Sequence, residues 1–205
     1  MPSPISAMAV ALASSLLLVP PAHAADADGH FAIKGLGLQS CADYLAAREA
    51  QSPQYHQFGG WMNGYLSASN RYEDDTFDLV PWQSTGMLAA WLASVCEENR
   101  DAQFVRVVAL LVNALGEERL RARSAVVEYE TDEGTDYVYA EVLRRAQQRL
   151  ADAGLYAGPI NGALDSATKD ALRRFQAERD LAATGLPDQR TLAMLFDGRA
   201  ASAAD

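Results

Sequence analysis

The pattern Gly-x-x-Asp-x-x-Thr-x-x-x-Leu occurs twice near the end of this 205-residue chain, at Gly162, Asp165, Thr168 and Leu172 and again at Gly185, Asp188, Thr191 and Leu195. An internal repeat of this kind means that one local structure is built twice. Each position has a physical reason. Glycine permits the turn before a helix, Asp accepts from the free amides of its first turn, Thr adds a second polar group there, and Leu reaches the core one turn later. Upstream, Val142, Leu143, Ala146 and Leu150 recur at helical spacing and stop at Gly154. Ala171, Leu172 and Phe175 follow the first repeat; Leu192, Leu195 and Phe196 belong to the second. Residues 141–198 are therefore predicted as a three-helix module. So small a module, lacking Cys, needs this apolar content merely to fold.

Between Ser40 and Leu115 apolar residues fall at helical spacing in four further stretches. Tyr44 and Leu45 mark the first; Phe58, Trp61, Met62, Tyr65 and Leu66 the second; Met87, Leu88, Trp91, Leu92 and Val95 the third; Phe104, Val107, Val108, Leu111 and Leu115 the fourth. Asp101 is the expected cap of the fourth helix and Gly116 its stop. Cys41 would sit in the first turn of helix one and Cys96 at the end of helix three. An even pair in an exported chain reads as a disulfide, worth roughly 4 kcal/mol for a loop of this length. The fold class is thus mainly α, with two small helical domains: a disulfide-clamped bundle within 25–116 and the module at 141–198, followed by a tail at 199–205. Residues 117–140 carry a charged run from Glu117 to Arg123 and then AVVEYE, TDEGTD and YVYAE. A short hairpin turned at Gly134, a helical extension and an acidic linker all fit that stretch.

The first 24 residues contain no Asp, Glu, Lys or Arg, run apolar from Ala7 to Val19 and close with Ala22, His23 and Ala24. That is the pattern of a secretory signal peptide cleaved after Ala24, with a periplasmic destination. The apolar run is well short of the roughly 20 residues that span a bilayer, so no membrane anchor is expected. Charge is uneven along the rest. Residues 25–140 carry 8 Lys or Arg against 18 Asp or Glu, whereas 141–198 carry 8 against 8. A chain of net charge −10 does not suit nucleic acid, whose phosphates demand clustered cations.

No catalytic constellation is apparent. His30 and His56 have no metal-ligand spacing around them, so no metal and no cofactor are expected. The two cysteines are assigned to each other. Glu73, Asp74, Asp75 and Asp78 bunch in a polar, Pro-containing loop, which reads as a solvated patch, because a general acid needs apolar burial. The chain is expected not to be an enzyme.

Gln147, Leu150, Gly154, Tyr156, GPINGALDSATKDALRRFQ at 158–176, Leu181, Thr184, Gly185, Asp188, Thr191 and Leu195 together resemble the peptidoglycan-binding domain family found on cell-wall hydrolases. The resemblance implies a three-helix fold that recognises the wall without cutting it. Asn161 stands where the family commonly has Asp. The implied ligand-binding residues are Tyr156 as a stacking platform, the Gly158, Asn161 and Gly162 loop for close backbone approach, and Arg173 or Arg174 for a stem-peptide carboxylate. In the first domain SCADYL (40–45), FGGWMNGYLSASN (58–70), WLASVCEEN (91–99) and Phe104 resemble the HdeA/HdeB periplasmic acid-stress chaperones. That resemblance implies a helical domain with one disulfide and chaperone activity at low pH; the alternative is an acidic scaffold that binds another periplasmic protein, and for the whole chain a cell-wall remodelling enzyme or an accessory protein of a wall hydrolase.

Overall fold

The computed structural model describes Asp26, Asp28 and residues 30–197; the segment expected to be a signal peptide, with cleavage after Ala24, lies outside the described residues. Among the described residues, those from Ala32 onward form one compact unit. It is mainly helical, with one two-stranded hairpin among the described residues.

Four helices make the first part: α1 (Cys41–Glu49), α2 (Pro53–Tyr72), α3 (Thr85–Glu98) and α4 (Phe104–Leu115). Ser40 and Asp43 form a capping box at the start of α1, each side chain accepting from the other's backbone N–H. Hydrogen bonds from the Ser40 hydroxyl and amide hold the Asp43 carboxyl below its usual range. Pro53 opens α2, where a missing N–H does no harm, and Ser84 caps α3 by accepting from Met87 N at 3.2 Å. The start of α4 differs from expectation. Its cap position is Gln103, not Asp101, and no side chain bonds there. Pairing of Gln103 with Ser40, continued by Phe104 N donating to Gln39 O at 2.8 Å, fixes the start two residues later. Gly116 does end α4, yet it stays right-handed (φ −61°) and leads into a 3-10 turn.

The core of this bundle is aromatic. Tyr44 lies 5.3 Å from Phe58 and 4.9 Å from Phe104, and the two phenylalanines are 4.8 Å apart, centroid to centroid. Cys41 and Cys96, both fully buried beside them, are joined in a disulfide. The Tyr44 hydroxyl donates to Ala89 O at 2.7 Å, and burial pushes its pKa upward.

Of the three possibilities for 117–140, the hairpin is what forms: β1 (Val126–Thr131) pairs antiparallel with β2 (Gly134–Tyr139). Asp132 and Glu133 make the turn, and Gly134 takes a φ of +130° that a side chain would resist. The hairpin is not a bare spacer. Tyr129 and Val138 are buried against Trp82 and against Val142, Leu143 and Ala146 of the next helix.

That helix is α5 (Ala140–Asp152), followed by α6 (Ser166–Glu178) and α7 (Gln189–Asp197). Residues of the loop between α2 and α3 join them. Asp78 pairs with Leu120, and the loop read as a solvated acidic patch turns Leu79 and Trp82 inward. The Trp82 ring sits 5.5 Å from Phe196, and Gln189 of α7 accepts from Ser84 N at 2.7 Å while donating to Trp82 O. The two helical parts thus share a core built from Trp82, the hairpin, α5 and α7.

Candidate functional site

Two buried glutamines organise the C-terminal module. Gln147 on α5 and Gln176 on α6 are both fully buried, and each reaches the loop before the next helix. Gln147 Oε1 accepts from Asn161 N at 2.9 Å and Gly162 N at 2.8 Å. Its Nε2 faces Ala163 O at 3.0 Å and Thr168 Oγ1 at 2.9 Å. Gln176 does the same for the second loop, with Gly185 N at 2.8 Å, Leu186 O at 3.0 Å and Thr191 Oγ1 at 2.9 Å. Every buried side-chain polar atom in the arrangement finds a partner, and the loop backbone is thereby fixed.

The repeated glycines are required by contact as well as by conformation. Gly162 has φ +75°, and a Cβ there would stand 2.4 Å from Ala140 O at the start of α5. Gly185 has the same φ, and its Cβ would stand 2.9 Å from Lys169 O. Asp165 and Asp188 then accept from Thr168 N and Thr191 N at 2.9 and 2.8 Å, as the repeat predicts for helix caps. The bond from the Thr168 amide, with that from its hydroxyl, holds the Asp165 carboxyl below its usual range.

The repeat is longer than its four most evident positions. Glu141-Val-Leu-Arg-Arg-Ala-Gln147 corresponds to Asp170-Ala-Leu-Arg-Arg-Phe-Gln176. The structure honours each match. Arg144 pairs with Glu141 at 2.8 Å as Arg173 pairs with Asp170 at 2.7 Å. Arg145 reaches back to the carbonyls of Glu118 and Arg119, as Arg174 reaches Leu155 O at 2.6 Å. This second row of identities was available in the sequence and would have singled out both glutamines.

The residues implied as ligand-binding are distributed unequally. Tyr156 is 6% exposed, packs with Leu150, Ala171, Leu172 and Phe175, and donates its hydroxyl to Pro159 O at 2.9 Å. Its ring is core and offers no open face for stacking; instead it shapes the loop, since a Cβ on Gly158 would meet it at 2.6 Å. Asn161 is exposed, with Oδ1 accepting from Ala163 N at 2.9 Å. Gly162 is buried beneath it. Arg173 and Arg174 are both exposed, but Arg174 is engaged by the Leu155 carbonyl.

Concavities open in both helical parts of the described chain. One, of about 290 Å³, lies in the bundle between Tyr44, Phe58, Met62, Ala89 and Leu92 and is mostly apolar. The other, of about 470 Å³, runs between residues 117–124 and the start of α5, with Asn161 at its edge. Among the candidate catalytic carboxylates, Asp75 is paired with Arg121, and Asp78 accepts from Val80 N at 3.1 Å. His56 lines the apolar cavity, while exposed Asp26, Asp28 and His30 bring one ligand atom each within 4.8 Å of one another. This grouping around His30 departs from the expectation that neither histidine has ligand spacing. No described helix is long and apolar enough to cross a membrane.

Comparison with known proteins bears on this module. Residues 140–195 match the family model described as "Putative peptidoglycan binding domain". No curated protein and no solved structure matches the chain.

Proposed function

With residues 140–195 a peptidoglycan-binding domain, and the protein's role therefore one of binding the cell wall, we propose that it is a non-catalytic periplasmic tether. In this reading the module holds the chain to the wall, and the disulfide-bonded bundle serves as an interaction or chaperone-like domain beside it. Wall binding and a disulfide both point to an extracytoplasmic protein.

The observation that carries the reading is the family match falling on a module whose two loop locks are complete. Loops fixed by buried glutamines present a rigid backbone, which suits recognition of a polymer without a reaction. Support for the absence of catalysis is chemical: of the acidic loop's four carboxylates, Asp75 is paired with Arg121 and Asp78 accepts from the Val80 amide. The chaperone element rests on the sequence landmarks of 40–104 and on charge. At low pH the 18 carboxylates of residues 25–140 would be neutralised while 8 basic groups remain, and self-repulsion would loosen apolar faces.

The test is incubation of the purified protein with isolated sacculi. The protein should pellet with them and release no soluble muropeptides. Release of muropeptides would make it a wall-remodelling enzyme, and failure to pellet would end the tether reading. Whole protein is preferable to a truncation lacking 140–205, because removing α5 and α7 would bare Trp82 and alter the bundle as well.

A further inference from the structure

The charged run Glu117–Arg123 is not a passive connector. Five arginines (Arg119, Arg121, Arg123, Arg144 and Arg145) and only two glutamates (Glu117 and Glu141) line the 470 Å³ groove, in a chain whose net charge is −10. We propose that this groove is a carboxylate-binding site that receives the stem peptide of peptidoglycan. The proposal rests on the wall-binding reading and assigns the contact to a place in the molecule.

The groove is held open by its own chemistry. Leu120 is buried and pinned by backbone bonds to Phe77 and Asp78, which leaves Arg121 and Arg123 exposed beside it. Arg145 ties α5 to this segment through the carbonyls of Glu118 and Arg119, and Arg119 is itself bonded to Gly116 O at 2.7 Å. These two arginines are structural. Among the described residues Arg123 makes no hydrogen bond or ion pair, Arg121 makes an exposed pair with Asp75, and Arg144, itself exposed, holds half-buried Glu141 by two hydrogen bonds at 2.8 and 2.9 Å. An exposed pair such as Arg121–Asp75 contributes little and is readily exchanged for another carboxylate.

Arginine presents a planar fork that matches a carboxylate, and a concave arrangement of several concentrates the field on an anion. Asn161 at the edge makes the groove continuous with the first locked loop of the wall-binding module. Arg144 and Arg145 are the repeat counterparts of Arg173 and Arg174, and in the groove they are joined by three further arginines supplied by residues outside the matched domain. Among the anions of a cell wall, the groove is assigned to stem-peptide carboxylates rather than to phosphodiester polymers.

The experiment compares binding of the intact protein and an Arg123→Ala/Arg144→Ala variant to sacculi stripped of phosphodiester polymers with hydrofluoric acid. A second arm uses stripped sacculi whose carboxyls have been amidated. Loss of two charge-assisted contacts should weaken binding about tenfold or more. Amidation should weaken the parent protein to a similar degree, and the melting temperature should not move. An Arg100→Ala/Arg106→Ala variant removes the same charge from exposed positions of the bundle and should bind as the parent does. Equal binding by the groove variant, or undiminished binding to amidated sacculi, overturns the groove while leaving wall binding intact. Loss of binding on stripping alone makes the ligand a phosphate polymer and also overturns it. If the parent protein pellets with no form of sacculus, the tether reading falls and the groove falls with it.

Discussion

The bundle from Cys41 to Leu115 and the module from Ala140 to Phe196 are both helical, but they are locked by opposite means. The bundle relies on packed rings and one covalent link: Tyr44, Phe58 and Phe104 around the Cys41–Cys96 disulfide. The module relies on polar groups held out of water. Gln147, Gln176, Thr168 and Thr191 are all fully buried, and each finds hydrogen-bond partners. An apolar core tolerates many sequences that fill the same volume, whereas a buried amide works only if every partner is in place. That difference explains why the module carries a readable family pattern.

The contrast can be broken most forcefully at the disulfide. Replacing both cysteines by Ala removes a constraint across 55 residues and should destabilise the protein by about 4 kcal/mol, read as a lower urea midpoint. A loss under about 1 kcal/mol would mean that the rings alone suffice. Next comes Gly162→Ala, where left-handed strain and the clash with Ala140 O should together cost about 3 kcal/mol. Gly185→Ala, with its looser 2.9 Å contact, should cost less; the reverse order in thermal melts would show that the two loops are not held alike.

Gln147→Ala and Gln176→Ala should each cost about 2 kcal/mol by orphaning buried loop amides. Near-identical values would show that the repeat is energetic as well as geometric, while a loss in only one would confine the lock to that loop. The smallest effect is at the caps. Asp165→Ala should cost about 1 kcal/mol at neutral pH.

Because the Asp43 and Asp165 carboxyls lie lower in the folded chain than in the unfolded one, their contribution is complete above the unfolded value near pH 4. It is lost as pH falls through the folded values. The gap in stability between the parent and Asp165→Ala should therefore shrink in acid; a gap unchanged at pH 2 would place the capping energy elsewhere.

Much of this was legible in the chain. Helical spacing marked all seven α-helices among the described residues, and the repeat gave both Asp caps because a cap acts within four residues of its own backbone. The glutamines were harder. The repeat marks Gln147 as a landmark, but on its own helix it reads as a polar surface position, and its burial comes only when the chain returns at Gly162. Tyr156 failed in the same way, since an aromatic residue in a loop can face either outward or inward. The α4 start moved from Asp101 to Gln103 because pairing with Ser40 outweighed a local cap.

What the sequence determined by itself was local: the helices, the caps, the cysteine pair and the module that matches the peptidoglycan-binding domain model, each set by residues close together in the chain or by a repeated motif. What only the tertiary structure decided was long-range. It placed Trp82 of an acidic loop against Phe196, turned 126–139 into a hairpin that completes the shared core, and brought Arg123 beside Arg144 across one groove. Such contacts join residues tens of positions apart, and their energy depends on burial and on field, quantities that exist only after the chain has folded.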